Sequence, residues 1–159
     1  MRRRDFVALL GSAATSLILW PLAARAQPRM PVIGYLGAES PDRFASRLRV
    51  FHDGLAAAGF TEGRNVVIEY RWAEGNNERL PALAAELVRH PVSVLAAPGS
   101  VASALAAKAA TQAIPIVFET GADPVVTGLV ASLRQPGGNI TGVTSLNAAV
   151  GAKRLELLR

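Results

Sequence analysis

Five short apolar runs, residues 31–36, 65–70, 92–97, 114–118 and 139–143, alternate along this chain with stretches of helical periodicity. Strands too short to be helices, each followed by a helical pattern, call for crossover connections. They predict an α/β fold, a doubly wound parallel five-stranded sheet with helices on both faces. The first helix is expected at Ser40-Pro41-Asp42, where a capping hydroxyl precedes proline at the first helical position, and Gly59 stops it. Phe44, Leu48, Phe51 and Leu55 recur on it at helical spacing and are expected in the core. A second helix carries Leu80, Leu83 and Leu87 on one face, with Pro81 in its first turn, where no amide partner is lost. An alanine-rich third helix follows Pro98-Gly99-Ser100, and Asp123-Pro124 is expected to open a fourth that Gln135-Pro136-Gly137-Gly138 ends. A fifth begins near Ala149 and runs to Arg159.

The N-terminus has a different character. Arg2-Arg3-Arg4-Asp5-Phe6-Val7 leads into an apolar run closed by Ala24-Arg25-Ala26, the three parts of an export signal cleaved after Ala26. Arg3-Arg4-Asp5-Phe6 resembles a twin-arginine signal, with Sec export as the alternative. Residues 7–24 are also just long enough for a membrane anchor, which needs roughly 17 to 25 residues. Pro21 and the hydroxyls of Ser12, Thr15 and Ser16 favour cleavage, which predicts a periplasmic protein. Residues 27–159 then form one domain, expected to be the front lobe of a longer architecture because the last helix ends with no stop signal.

Cleavage changes the charge balance. Four of the 17 basic residues and one of the 12 acidic residues leave with the signal, so the net charge falls from +5 to +2. No basic stripe with interleaved aromatics remains, which argues against a nucleic-acid partner. With no cysteine, the chain has no disulfide, thiolate nucleophile, cysteine-ligated zinc or lipidated N-terminal cysteine.

The motifs of catalysis are missing. His52 and His90 have no partners at metal-ligand spacing, and there is no nucleophile elbow, phosphate-loop lysine or complete dinucleotide glycine motif. The chain is expected to be neither an enzyme nor a cofactor carrier. Small polar residues instead follow successive strands. In open parallel sheets, ligands sit beyond the carboxyl ends of the strands, where helix N-termini present unpaired amides. Ser40, Gly99, Ser100, Thr120, Asp123, Thr144 and Ser145 are the candidate ligand-binding residues. Ser40, Ser100 and Asp123 also have the character of helix caps, whereas Thr120 precedes no helix and is expected to be free for a ligand.

Several segments resemble a family of ABC-transporter substrate-binding proteins. They include Val32-Ile33-Gly34-Tyr35-Leu36-Gly37, Gly59-Phe60-Thr61-Glu62-Gly63-Arg64-Asn65-Val66, Glu69-Tyr70-Arg71-Trp72, Ala122-Asp123-Pro124-Val125 and Pro136-Gly137-Gly138-Asn139-Ile140-Thr141-Gly142-Val143. The resemblance implies one lobe of a type I periplasmic-binding-protein fold, which closes with a second lobe on a small solute and hands it to a membrane permease. Characterised relatives are linked to uptake of tryptophan or tyrosine. For such a solute, a carboxylate would suit the helix N-termini and an ammonium Asp123 or Glu119. Tyr35, Tyr70, Trp72 and Phe118 are the aromatics that would stack on such a solute or fill a core. A compact flavodoxin-like nucleotide-binding enzyme and a truncated remnant that binds nothing are the alternatives.

Overall fold

The computed structural model describes residues 30–145; the expected signal and the fifth helix lie outside the described residues. Five strands form one sheet: β1 (Val32–Gly37), β2 (Val67–Trp72), β3 (Val94–Pro98), β4 (Ile116–Thr120) and β5 (Ile140–Thr144). Their order is β2-β1-β3-β4-β5, and every pairing is parallel. The crossovers contain α1 (Pro41–Ala57), α2 (Leu80–Arg89) and α3 (Val101–Ala110). The doubly wound sheet expected from the sequence is therefore present.

Strand alternation divides the core into two layers. Leu36, Leu95, Ile116, Phe118 and Ile140 point to one face, where Leu80, Ala84 and Leu87 of α2 and Ala104 and Ala107 of α3 cover them. The alanines of α3 let it lie close to the sheet. On the opposite face, Ile33, Tyr35, Val66, Ile68 and Ala96 meet Leu48, Phe51 and Leu55 of α1. Tyr35 anchors this second layer, its ring 5.3 Å from Phe51, 5.4 Å from Tyr70 and 5.1 Å from Trp72.

Three expectations need correction. The stripe on α1 is only partly core: Phe44 is buried, but Leu48, Phe51 and Leu55 are half-exposed. No second described helix flanks α1 on its face, so the sheet beyond it is open, and Val117 and Val143 are 46% and 66% exposed. The second strand begins two residues later than expected, because the Asn65 side chain closes a turn. Its Oδ1 accepts from the Thr61 amide at 2.7 Å and its amide nitrogen donates to the Gly59 carbonyl at 2.8 Å.

The fourth helix does not form. Asp123 caps as expected, its Oδ1 accepting from the Val125 amide at 2.8 Å, and one turn follows with Thr127 N–H donating to Asp123 O at 3.1 Å. Val125, Val126 and Thr127 are β-branched and poor at propagating a helix. Gly128 then adopts φ +74°, which turns the chain out of the helical path. Lys108 fixes the turn by donating to the carbonyls of Gly128 at 2.7 Å and Leu129 at 3.0 Å. Leu129 and Val130 enter the core where helical side chains were expected.

Asn139 clamps the start of β5 to the loop before β4, donating to the carbonyls of Ile114 at 2.6 Å and Thr111 at 3.2 Å. Asn139→Ala leaves both carbonyls without this donor and is expected to cost about 1–3 kcal/mol. The urea midpoint should fall while the slope of the transition stays constant; an unchanged midpoint would show that water replaces the clamp fully.

Candidate functional site

The strand order reverses between β1 and β3, since β1 is followed leftward by β2 while β3 leads rightward to β4 and β5. The connections leave β1 and β3 on opposite faces, so a crevice opens beyond their carboxyl ends. Two helix N-termini border it. Ser40 caps α1, its Oγ accepting from the Arg43 amide at 3.5 Å, and Ser100 caps α3, its Oγ accepting from the Ser103 amide at 3.4 Å. Both were foreseen as caps and as ligand contacts, and the two roles are compatible. A capping oxygen uses a lone pair, while its O–H remains able to donate to a bound anion.

Gly99 is constrained twice. Its φ is +78°, and a Cβ there would lie 2.5 Å from Phe44 Cζ and 2.8 Å from Arg47 Nη1. The Arg47 guanidinium also stands over the Phe44 ring, 5.1 Å from its centroid. The bare backbone at Gly99 thus lets a cation from α1 reach the end of β3. Arg47 was not singled out in the sequence, and a lone arginine on a helix gives no local signal of such a position.

The remaining candidates gather at the ends of β4 and β5. Thr120 pairs in register with Thr144, and the Ser145 amide donates to the Thr120 carbonyl at 3.1 Å. Thr144 donates its hydroxyl to the Ala122 carbonyl at 2.8 Å. Contrary to expectation, Thr120 has local work: it is 2% exposed, and its Oγ1 accepts from the Ala122 amide at 3.1 Å. Asp123 is occupied by the turn it caps. Ser40, Gly99 and Ser100 therefore form one group at the crevice, and Thr120, Asp123, Thr144 and Ser145 a second group at the ends of the next strands, β4 and β5.

Between α1 and the ends of β3 and β4 lies a cavity of about 420 Å³ lined by Tyr35, Ser46, Arg47, Val50, Phe51, Pro98 and Glu119. The Tyr35 ring is buried. Desolvation pushes its hydroxyl pKa up to about 12, with Arg47 opposing the rise and Glu119 adding to it. The phenol is therefore neutral at physiological pH.

The two histidines belong to surface networks elsewhere. His52 Nε2 is 2.9 Å from the Tyr70 hydroxyl, which also donates to Glu62 at 3.2 Å, and burial followed by Glu62 raises the Tyr70 pKa. His90 Nδ1 lies 3.2 Å from Glu69, whose neighbour Arg71 bonds Glu86 at 3.0 Å. Among the described residues no group of three or more potential ligands is placed to hold a metal, and no helix is long and apolar enough to cross a membrane.

Polar residues and helix N-termini converge on the switch point of a doubly wound sheet, the place where open α/β sheets commonly take ligands. The sequence pattern described as ABC transporter substrate binding protein matches residues 39–159, and the chain belongs to that family. It is 34% identical over 109 residues to the tyrosine-binding protein of Clostridioides difficile strain R20291, a match covering 69% of this chain and 31% of that protein. A conserved domain protein of Vibrio cholerae superposes with a TM-score of 0.67 at 32% identity, covering 73% of this chain and 39% of that one. The ABC domain of Streptococcus pneumonia, in complex with L-Trp, gives 0.66 at 27% identity, covering 72% and 38%. The chain thus spans about a third of the curated relative's length.

Proposed function

We propose that this chain is the front lobe of an exported solute-binding protein that holds an amino acid in the crevice between β1 and β3 and serves an ABC permease. The carrying observation is the convergence of the capped N-termini of α1 and α3, with Ser40 and Ser100, on the reversal of strand order. Unpaired first-turn amides and two hydroxyl donors favour a carboxylate there. The tyrosine-binding and tryptophan-bound relatives support an amino acid as the solute. Export through the twin-arginine or Sec route, cleavage after Ala26 and delivery to a permease complete this reading, and binding without catalysis is the role it assigns. The second group, around Thr120, Asp123, Thr144 and Ser145, shapes the far wall of the crevice.

Titration calorimetry of the purified chain against the proteinogenic amino acids tests the reading. Saturable heat with an aromatic or other apolar amino acid is the expected outcome. Heats of dilution alone across the whole set would contradict it. Ser100→Ala is expected to weaken binding about tenfold through loss of one donor to a charged group. It should also cost about 1 kcal/mol of stability through the lost cap.

A further inference from the structure

The cavity beside α1 holds two opposite charges that do not neutralise each other. Among the described residues Arg47 makes no ion pair and stands over the Phe44 ring beside Gly99, and Glu119, half-buried, makes none. Both line the cavity together with Tyr35 and act electrostatically on its hydroxyl. Tyr35 is 1% exposed, yet its hydroxyl has no hydrogen-bond partner among the described residues although the residue lines the cavity. The hydroxyl is open to the cavity rather than sealed in the core, and beside a cation and an anion it can both donate to and accept from a polar ligand.

The surroundings restrict the ligand further. Phe51 and Val50 give the cavity an apolar wall, and Pro98, which precedes Gly99 in the chain, lines it as well. A guanidinium suits a carboxylate, which it grips through two parallel hydrogen bonds, and a carboxylate suits an ammonium. A zwitterion carries both charges on one carbon, and an apolar side chain attached to that carbon matches the wall.

Resting on the reading of the chain as an amino-acid-binding lobe, we infer that Arg47 and Glu119 are its specificity determinants: Arg47 receives the α-carboxylate, Glu119 the α-ammonium, and the Tyr35 hydroxyl bonds between them. Selection then falls on the zwitterion, and the apolar wall sets a preference among side chains.

Calorimetric titration of the full exported chain with L-tyrosine, tyramine and 3-(4-hydroxyphenyl)propionate tests this assignment. Tyramine lacks the carboxylate and the propionate lacks the ammonium. Arg47→Gln is expected to weaken L-tyrosine and the propionate about 10- to 100-fold and to leave tyramine unchanged. Glu119→Gln should weaken L-tyrosine and tyramine by a similar factor and spare the propionate. Arg47→Lys keeps the charge but not the paired hydrogen bonds and should recover only part of the loss, and thermal melts confirm that each variant is folded. Wild-type affinity for L-tyrosine in both glutamine variants would overturn the assignment while leaving the amino-acid reading intact. Failure of the unmodified chain to bind any amino acid would overturn both.

Discussion

Leu95→Ala is expected to remove about 2–5 kcal/mol of stability, a large share of the roughly 5–15 kcal/mol that holds a domain of this size together. Leu95 lies on β3, hydrogen-bonded between β1 and β4 at the centre of the sheet, and is 1% exposed. Its Cδ2 would stand 2.7 Å from a Cβ on Gly34, so the leucine occupies the space that the glycine leaves open. The methyl groups also belong to the layer formed with α2 and α3. Truncation opens a cavity that Gly34 cannot fill, and the loss exceeds the simple transfer free energy. Urea denaturation followed by circular dichroism measures it. Val50→Ala serves as the contrast, because Val50 is 69% exposed and its truncation should change stability by no more than about 0.5 kcal/mol. Equal losses in the two variants would show that the sheet does not carry the core.

Gly99→Val should damage stability and binding together. The left-handed backbone at φ +78° disfavours any side chain by about 1–2 kcal/mol, and a branched one by more. The new atoms also meet Phe44 and Arg47, which must move at a further cost of about 1–3 kcal/mol. Displacing Arg47 withdraws the cation from the cavity mouth, so amino-acid binding should fall at least tenfold even at a temperature where the variant is fully folded. Melting curves and calorimetry on the same sample separate the two effects. A variant that is destabilised but binds normally would show that Gly99 serves the fold alone.

The parallel sheet was readable because each strand is a compact apolar run and each crossover announces itself by caps and spacing. Ser40-Pro41-Asp42 specifies the start of α1 locally, and the structure uses it as written. The segment after Asp123-Pro124 offers the same opening and yields only one turn. There, β-branched Val125, Val126 and Thr127 and the backward φ of Gly128 outweigh a good cap. Partial exposure of Leu48, Phe51 and Leu55 was not legible either: helical spacing identifies the apolar face, but how much of it is covered depends on neighbours elsewhere in the chain.

The site divides along the same line. Ser40, Gly99 and Ser100 were legible because position after a strand, together with residue type, places them at the crevice. Thr120 failed the expectation because a hydroxyl two residues before an amide closes a small turn of its own, as it does with Ala122. Arg47 was invisible because its meaning is non-local. It matters only where α1 crosses beside β3, and where a glycine 52 residues later leaves room for a guanidinium.

The central claim is that an amino acid occupies the crevice where β1 and β3 diverge. A crystal of the chain grown with saturating L-tyrosine or L-tryptophan tests it most directly. The account predicts density for the solute between the ends of β1 and β3, within hydrogen-bond distance of Ser40 or Ser100, with its α-carboxylate on Arg47. Density at any other surface, or an empty crevice at saturating solute, would contradict it.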